Sequence, residues 1–225
     1  MALAICAPPA AAQGQDTIDV VGDSSLAAAN DTARIAVSTA ARRPSSRAAP
    51  GVAAARMRRV LQRVRALGIE SREVRTRFVN VRRTRVGPKG RQQIAYVARN
   101  SVGITIRDVE LTGRVIDAAA SGGADAIGGP SFFIADSRAL YRQALVAAFD
   151  VARIKAEELA AQAGVTLGPA VSIREEGFES TDDSSGFGQA QPVSAPDAGA
   201  RRRRTPVRPG RTRVGALVFV RFAIE

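Results

Sequence analysis

The sequence predicts an α+β protein: mixed, mostly antiparallel sheet or sheets built from long hairpins, with two to three helices packed on one face. Three observations carry this. Segments such as "YVARNSVGITIRD" (96–108) alternate apolar and polar residues with the period of a strand that has one buried face. Others, such as Met57, Val60, Leu61, Val64 and Leu67, repeat at helical spacing with arginines between them. Glycines and prolines fall at the junctions between the two kinds of segment.

Taken in order, "TIDVVG" (17–22) reads as a short strand ended by Gly22. Residues 31–43 alternate, with Ala33, Ile35, Val37 and Thr39 facing inward. The first helix begins between Ser45 and Gly51 and stops at Gly68, a glycine that can take the left-handed conformation of a helix end. A strand from about Val74 to Arg85 turns through "VGPKGR" into a second from about 93 to 107, making a hairpin. A helix over Val109 to Ala120 closes at Gly122 and Gly123. The strand at 124–136 is interrupted by Gly128, Gly129 and Pro130, which signal a bulge or bend. Asp136 then caps a long helix ending at Gly164. Strands over 167–176 and 212–225 flank a Gly/Ser/Asp/Pro-rich flexible insert, 177–206, that ends in an arginine run.

Composition narrows the chemistry. The chain has 225 residues, one cysteine, no tryptophan and no histidine. Histidine-based triads and histidine metal sites are thereby excluded, and no intrachain disulfide can form. The net charge of +12 is unevenly placed. Residues 42–91 hold fifteen arginines and one lysine against Glu70 and Glu73, and 201–213 hold seven arginines and no acid, leaving the remainder at −9. Two basic blocks invite a nucleic-acid reading. The strands lack the interleaved aromatic residues on which bases stack, so no nucleic-acid partner is expected.

The opening "MALAICAPPAAAQGQD" has a short apolar stretch, Pro8 and Pro9, and then small residues before Gln13. It reads as a signal peptide over 1–12, lacking its positive start, with the mature domain over 13–225. Cys6 falls in the segment to be removed.

Five blocks in order, "DTARIAVST" (31–39), "LGI" (67–69), "YVARNSVGITIRD" (96–108), "VIDAAASGGADAIGGPSF" (115–132) and "DVARIKAEELAAQAGVTLG" (150–168), resemble the SIMPL-domain (DUF541) family of bacterial periplasmic and outer-membrane immunogen-like proteins. The likeness runs from about Thr17 to Glu225. It implies a SIMPL-type fold and an exported protein, periplasmic or outer-membrane associated. It also implies links to oxidative-stress defence, assembly into homo-oligomers, and no agreed active site.

Asn100 sits on the apolar parity of its strand, where a carboxamide costs free energy unless hydrogen-bonded. It is read as scaffold, bonded to neighbouring backbone near a bulge, and Gly128, Gly129 and Pro130 are likewise structural. In "VRTRFVNVRRTR", Arg75, Arg77, Arg83 and Arg85 share one strand parity. Four guanidinium groups on one face repel unless anions lie opposite, so they form a candidate face toward another subunit or an anionic membrane surface. Asp31, Asp108 and Asp136 are turn or cap residues. Glu175 and Glu176 near Asp182 and Asp183 match no metal-ligand spacing, Tyr96 and Tyr141 have no partner base, and no glycine pattern cradles phosphate. No catalytic, cofactor-binding or metal residues are assigned, and no cofactor is expected.

The reading is an exported, non-enzymatic envelope protein acting through self-assembly or binding. The alternatives are a carboxylate- or metal-dependent enzyme and an arginine-mediated polyanion or nucleic-acid binder. The first expectation is a mature terminus at Gln13: sequencing the native protein from the envelope fraction should begin there, whereas an intact Met1 in the cytosol would refute export.

Overall fold

A computed structural model describes residues 16–88, 91–177, 179–182 and 205–225. The expected signal peptide, its cleavage point and Cys6 lie outside these residues, as do Asp183 and most of the 177–206 insert. The order is β1 (Thr17–Ala29), β2 (Thr32–Arg43), α1 (Ala48–Arg65), β3 (Val74–Val86), β4 (Gln93–Ile106), α2 (Thr112–Ser121), β5 (Ala126–Phe133), α3 (Ser137–Ala163), β6 (Leu167–Glu175), β7 (Glu179–Asp182) and β8 (Arg211–Ile224). The fold is α+β, as expected, but built from two four-stranded sheets that belong to two compact units.

The larger unit, Ala27–Asp136 with Thr181–Thr212, contains the sheet β3-β4-β2-β5. β2 and β4 run antiparallel from Ala33 opposite Ile106 to Arg43 opposite Tyr96 without a shift. Directly opposed residues share a face, so Ala33, Ile35 and Val37 join Ile106, Ile104 and Val102 in one core. Met57, Val60 and Val64 of α1 and Val115 and Ala119 of α2 complete it. At the far end Ala41 and Ala98 pack with Ala49 and Ala53 of α1. The buried Thr39 hydroxyl donates to the Ala53 carbonyl at 3.0 Å, tying β2 to α1. Gly68 takes φ 91° just beyond α1, the left-handed conformation that its position at a helix end suggested.

The smaller unit gathers residues up to Leu26, Ser137–Ser180 and Arg213–Glu225. Its sheet has the order β1-β8-β6, with β7 also pairing to β8, and α3 packs on it. The α3 residues that do so are alanines at strict four-residue intervals, Ala144, Ala148, Ala152, Ala156 and Ala160, all buried. A ridge of such small side chains lets the helix axis approach the sheet closely. Val20, Ala216, Val218, Val220 and Phe222 form the other side of this core.

β1 differs from the sequence expectation: it does not stop at Gly22 but continues to Ala29. Gly22 is buried, and a Cβ built there would overlap the Ala148 carbonyl and crowd Ala152. The glycine is therefore a point of close approach within a strand rather than its end. Ser24 continues the contact by donating to the Ala144 carbonyl at 2.7 Å. Gly22→Ala is expected to lower stability by about 1–3 kcal/mol, the usual result of overfilling a tight core. At about 2–4 °C per kcal/mol for a chain of this size, thermal unfolding should register it. An unchanged melting temperature would show that α3 can move away at no cost.

Candidate anion-binding site

Alternation gives the larger unit's sheet a second face. The β2 positions Arg34 and Ala36 and the β4 positions Gly103, Thr105 and Arg107 have the parity opposite to the core. Small residues over the middle of this face leave a concavity of about 900 Å³. Its rim is basic: Arg34 from β2, Arg72 from the 3₁₀ turn Ser71–Glu73, Arg75 and Arg77 from β3, and Arg107 just beyond β4. Gly103, Gly128 and Gly129 lie along the floor, with Thr105, Ser131 and Phe133 beside them.

The guanidinium groups are held to different degrees. Arg34 stacks on the Phe133 ring, 4.8 Å from its centroid. Arg107 is paired at 3.0 Å with Glu73, whose side chain is only 8% exposed. The second Glu73 oxygen accepts from the Glu70 backbone N–H at 3.0 Å, so the one carboxylate that lines the concavity among the described residues is already engaged at both oxygens. Arg72 pairs with Glu70 at 2.9 Å. Among the described residues Arg75 and Arg77 have no carboxylate partner. The Arg77 stem lies over Gly103, whose Cβ position would be 3.7 Å from its Cγ and Cδ.

The four arginines expected on one face are divided by a bulge. Thr76 lies opposite Val102 but Phe78 opposite Ser101, so Arg77 is the additional residue. Arg75, opposite Gly103, and Arg77 therefore face the concavity. Arg83 and Arg85, opposite Tyr96 and Ile94, have the parity of the helix-covered face. Counting parity along an unbroken strand cannot detect such a shift. The bulged hairpin also exposes apolar residues: Phe78, Val79, Val81 and Ile94 are each more than 40% exposed, and β3 is an edge strand.

Asn100 lies opposite Thr39 and Val79 on the core-side parity, as its position implied. Among the described residues its buried Oδ1 has no hydrogen-bond partner. Thr39 spends its hydroxyl on the Ala53 carbonyl, and Val79 has no donor to offer. Gly128, Gly129 and Pro130 coincide with a register shift against β2, between Arg34 and Ala36, and Gly129 takes φ 92°. The other candidates fall into local roles. Asp108 accepts from the Glu110 N–H at 3.0 Å, and Asp31 from the Ala135 N–H at 2.8 Å. Tyr141, read as lacking a partner, donates to the Glu175 carboxylate. Desolvation and then that bond push its pKa up to about 12, the opposite of an activated phenol. Among the described residues no group of three or more Asp, Glu, His or Cys is placed to hold a metal, and no helix is long and apolar enough to cross a membrane.

The fold and this face define an α+β protein with an open, arginine-rimmed sheet surface. The chain matches the model of the SIMPL family, described as a protein of unknown function (DUF541), over residues 18–222, and belongs to that family. No curated protein matches it.

The unpartnered Asn100 oxygen gives a direct expectation. A buried acceptor left unsatisfied costs about 1–3 kcal/mol, so Asn100→Leu should hold or raise the melting temperature. Asn100→Asp should lower it at neutral pH by placing a charge there. A clear loss in Asn100→Leu would show that the carboxamide makes a stabilising bond after all.

Proposed function

We propose that this protein is exported to the periplasm or outer membrane and acts there without catalysis, by binding an anionic partner through the arginine-lined sheet face. The observation that carries the reading is the pair Arg75 and Arg77, two guanidinium groups at the rim of a concavity with no carboxylate partner among the described residues. Guanidinium forks match carboxylates, phosphates and sulfates in bidentate geometry, and a concave wall lowers the solvent screening of that attraction. The signal-like opening and the family resemblance support export and a role in envelope stress defence. Self-assembly has its own support in the exposed apolar residues of the β3–β4 hairpin, a sheet edge of the kind that pairs with another chain. An enzymatic reading has less behind it, because Glu73, the only acid lining the concavity among the described residues, is bonded at both oxygens.

Heparin, a sulfated polyanion, tests the binding mode. The full chain should be retained on immobilised heparin and released by added salt, as expected for exposed charges. Arg75→Glu with Arg77→Glu should be released at markedly lower salt than the parent, and more so than Arg83→Glu with Arg85→Glu, which alters the net charge equally. Equal elution of the two double variants would mean that diffuse charge, not this face, is responsible.

A further inference from the structure

The arginine-lined concavity has a charge balance and a donor inventory that specify more than a generic anion. Setting Glu73 against Arg107 and Glu70 against Arg72 leaves Arg34, Arg75 and Arg77 uncompensated among the described residues. A phosphate monoester carries about −1.5 to −2 at neutral pH, so one such group leaves positive charge behind and two match the site. The lining offers mainly donors, the guanidinium N–H groups together with the hydroxyl of Thr105, while the Ser131 hydroxyl already donates to the Arg34 carbonyl at 3.5 Å. With both Glu73 oxygens occupied, hydroxyls on a ligand's frame are met by solvent at the open side, whereas phosphate oxygens accept directly from the guanidinium donors. The volume of about 900 Å³ is at the upper end for small-ligand sites and holds far more than one phosphate.

The positions of the arginines favour two separated anionic groups. Arg34, from β2, is held against Phe133 of β5, while Arg75 and Arg77 rise from β3, across the intervening strand β4. Between them Gly103 makes room for the Arg77 stem, and Ala36 and Gly128 keep the rest of the floor free of long side chains. The Phe133 ring beside Arg34 gives the ligand's carbon frame an apolar contact. Neighbouring strands are about 4.8 Å apart, so two spacings place the bases of the two arginine groups roughly 10 Å apart, a span for a sugar ring together with a phosphate at each end.

We infer that this face is a binding site for a compact molecule bearing two phosphate monoesters on a saccharide-sized frame, with Arg75 and Arg77 holding one phosphate and Arg34 the other. This deepens the anion-binding reading and rests on it. The shared chemistry, a pair of phosphates on a small ring, occurs both in soluble sugar bisphosphates and in bisphosphorylated lipid headgroups.

Calorimetric titration of the full chain with fructose 1,6-bisphosphate and fructose 6-phosphate is the test. The bisphosphate should bind at least about tenfold more tightly, and that preference should fall to about one in Arg34→Ala and in Arg75→Ala with Arg77→Ala. Arg83→Ala with Arg85→Ala should keep it. Sedimentation with phosphatidylcholine vesicles carrying a phosphoinositide bisphosphate separates the sources. Tighter capture by the vesicles than by the soluble bisphosphate assigns the lipid headgroup, and equal affinities assign the soluble ligand. The inference is overturned if the two sugars bind equally, or if the Arg83/Arg85 variant loses the preference as fully. Heparin retention that depends on Arg75 and Arg77 without any bisphosphate preference would overturn this inference alone. Heparin retention indifferent to them would overturn the broader reading as well.

Discussion

The unshifted antiparallel register between β2 and β4 is the constraint on which the larger unit depends. Eleven residue pairs, from Ala33 opposite Ile106 to Arg43 opposite Tyr96, keep two alternating patterns in phase. A slip of β2 by one residue would turn Ile35 and Val37 out to solvent and drive Arg34 into the core. The same register that buries the apolar set under α1 and α2 thus brings Arg34, Gly103, Thr105 and Arg107 onto one open face. Core and candidate site are two sides of a single alignment.

The smaller unit meets a different constraint with different residues. Its helix contributes alanines rather than large side chains, so its contact with the sheet depends on close approach instead of bulky interdigitation. Each alanine buries little area, but shortening the separation recovers dispersion contacts that a wider gap would forfeit. Gly22 and the Ser24 hydroxyl belong to the same arrangement, one by making room and the other by bonding to a helix carbonyl. Phe222 and Phe149, with ring centroids 6.2 Å apart, fill the wider part.

Bulges do the work of aiming. At β3 the additional residue turns Arg77 to the side of Arg75, and on β5 the shift against Arg34 and Ala36 brings Gly128 and Gly129 to the floor. The core-side cost of such irregularity is local. Beside the β3 bulge, Asn100 stands between a threonine whose hydroxyl is committed elsewhere and a valine, with its oxygen unsatisfied. A polar atom left in that state is a small reservoir of instability next to the candidate site.

The sequence alone determined the α+β class, the order of its main strands and helices, and most inward-facing residues, because the two periodicities and the glycine stops are local properties of the chain. It located α3 almost to the residue, from Asp136 to Gly164, for that reason. It also revealed the excess of arginine around β3. What it could not determine was which arginines share a face, since that depends on a bulge set by pairing with β4 rather than by β3 itself. Nor could it show that Gly22 lies inside a strand, because the reason for the glycine is Ala148, more than a hundred residues away. The candidate site was legible as a parity, with Arg107 and Thr105 opposite the apolar set of their strand. Its concavity, and the engagement of Glu73 with Arg107 beside Arg75 and Arg77, arise only when strands distant in the chain lie side by side.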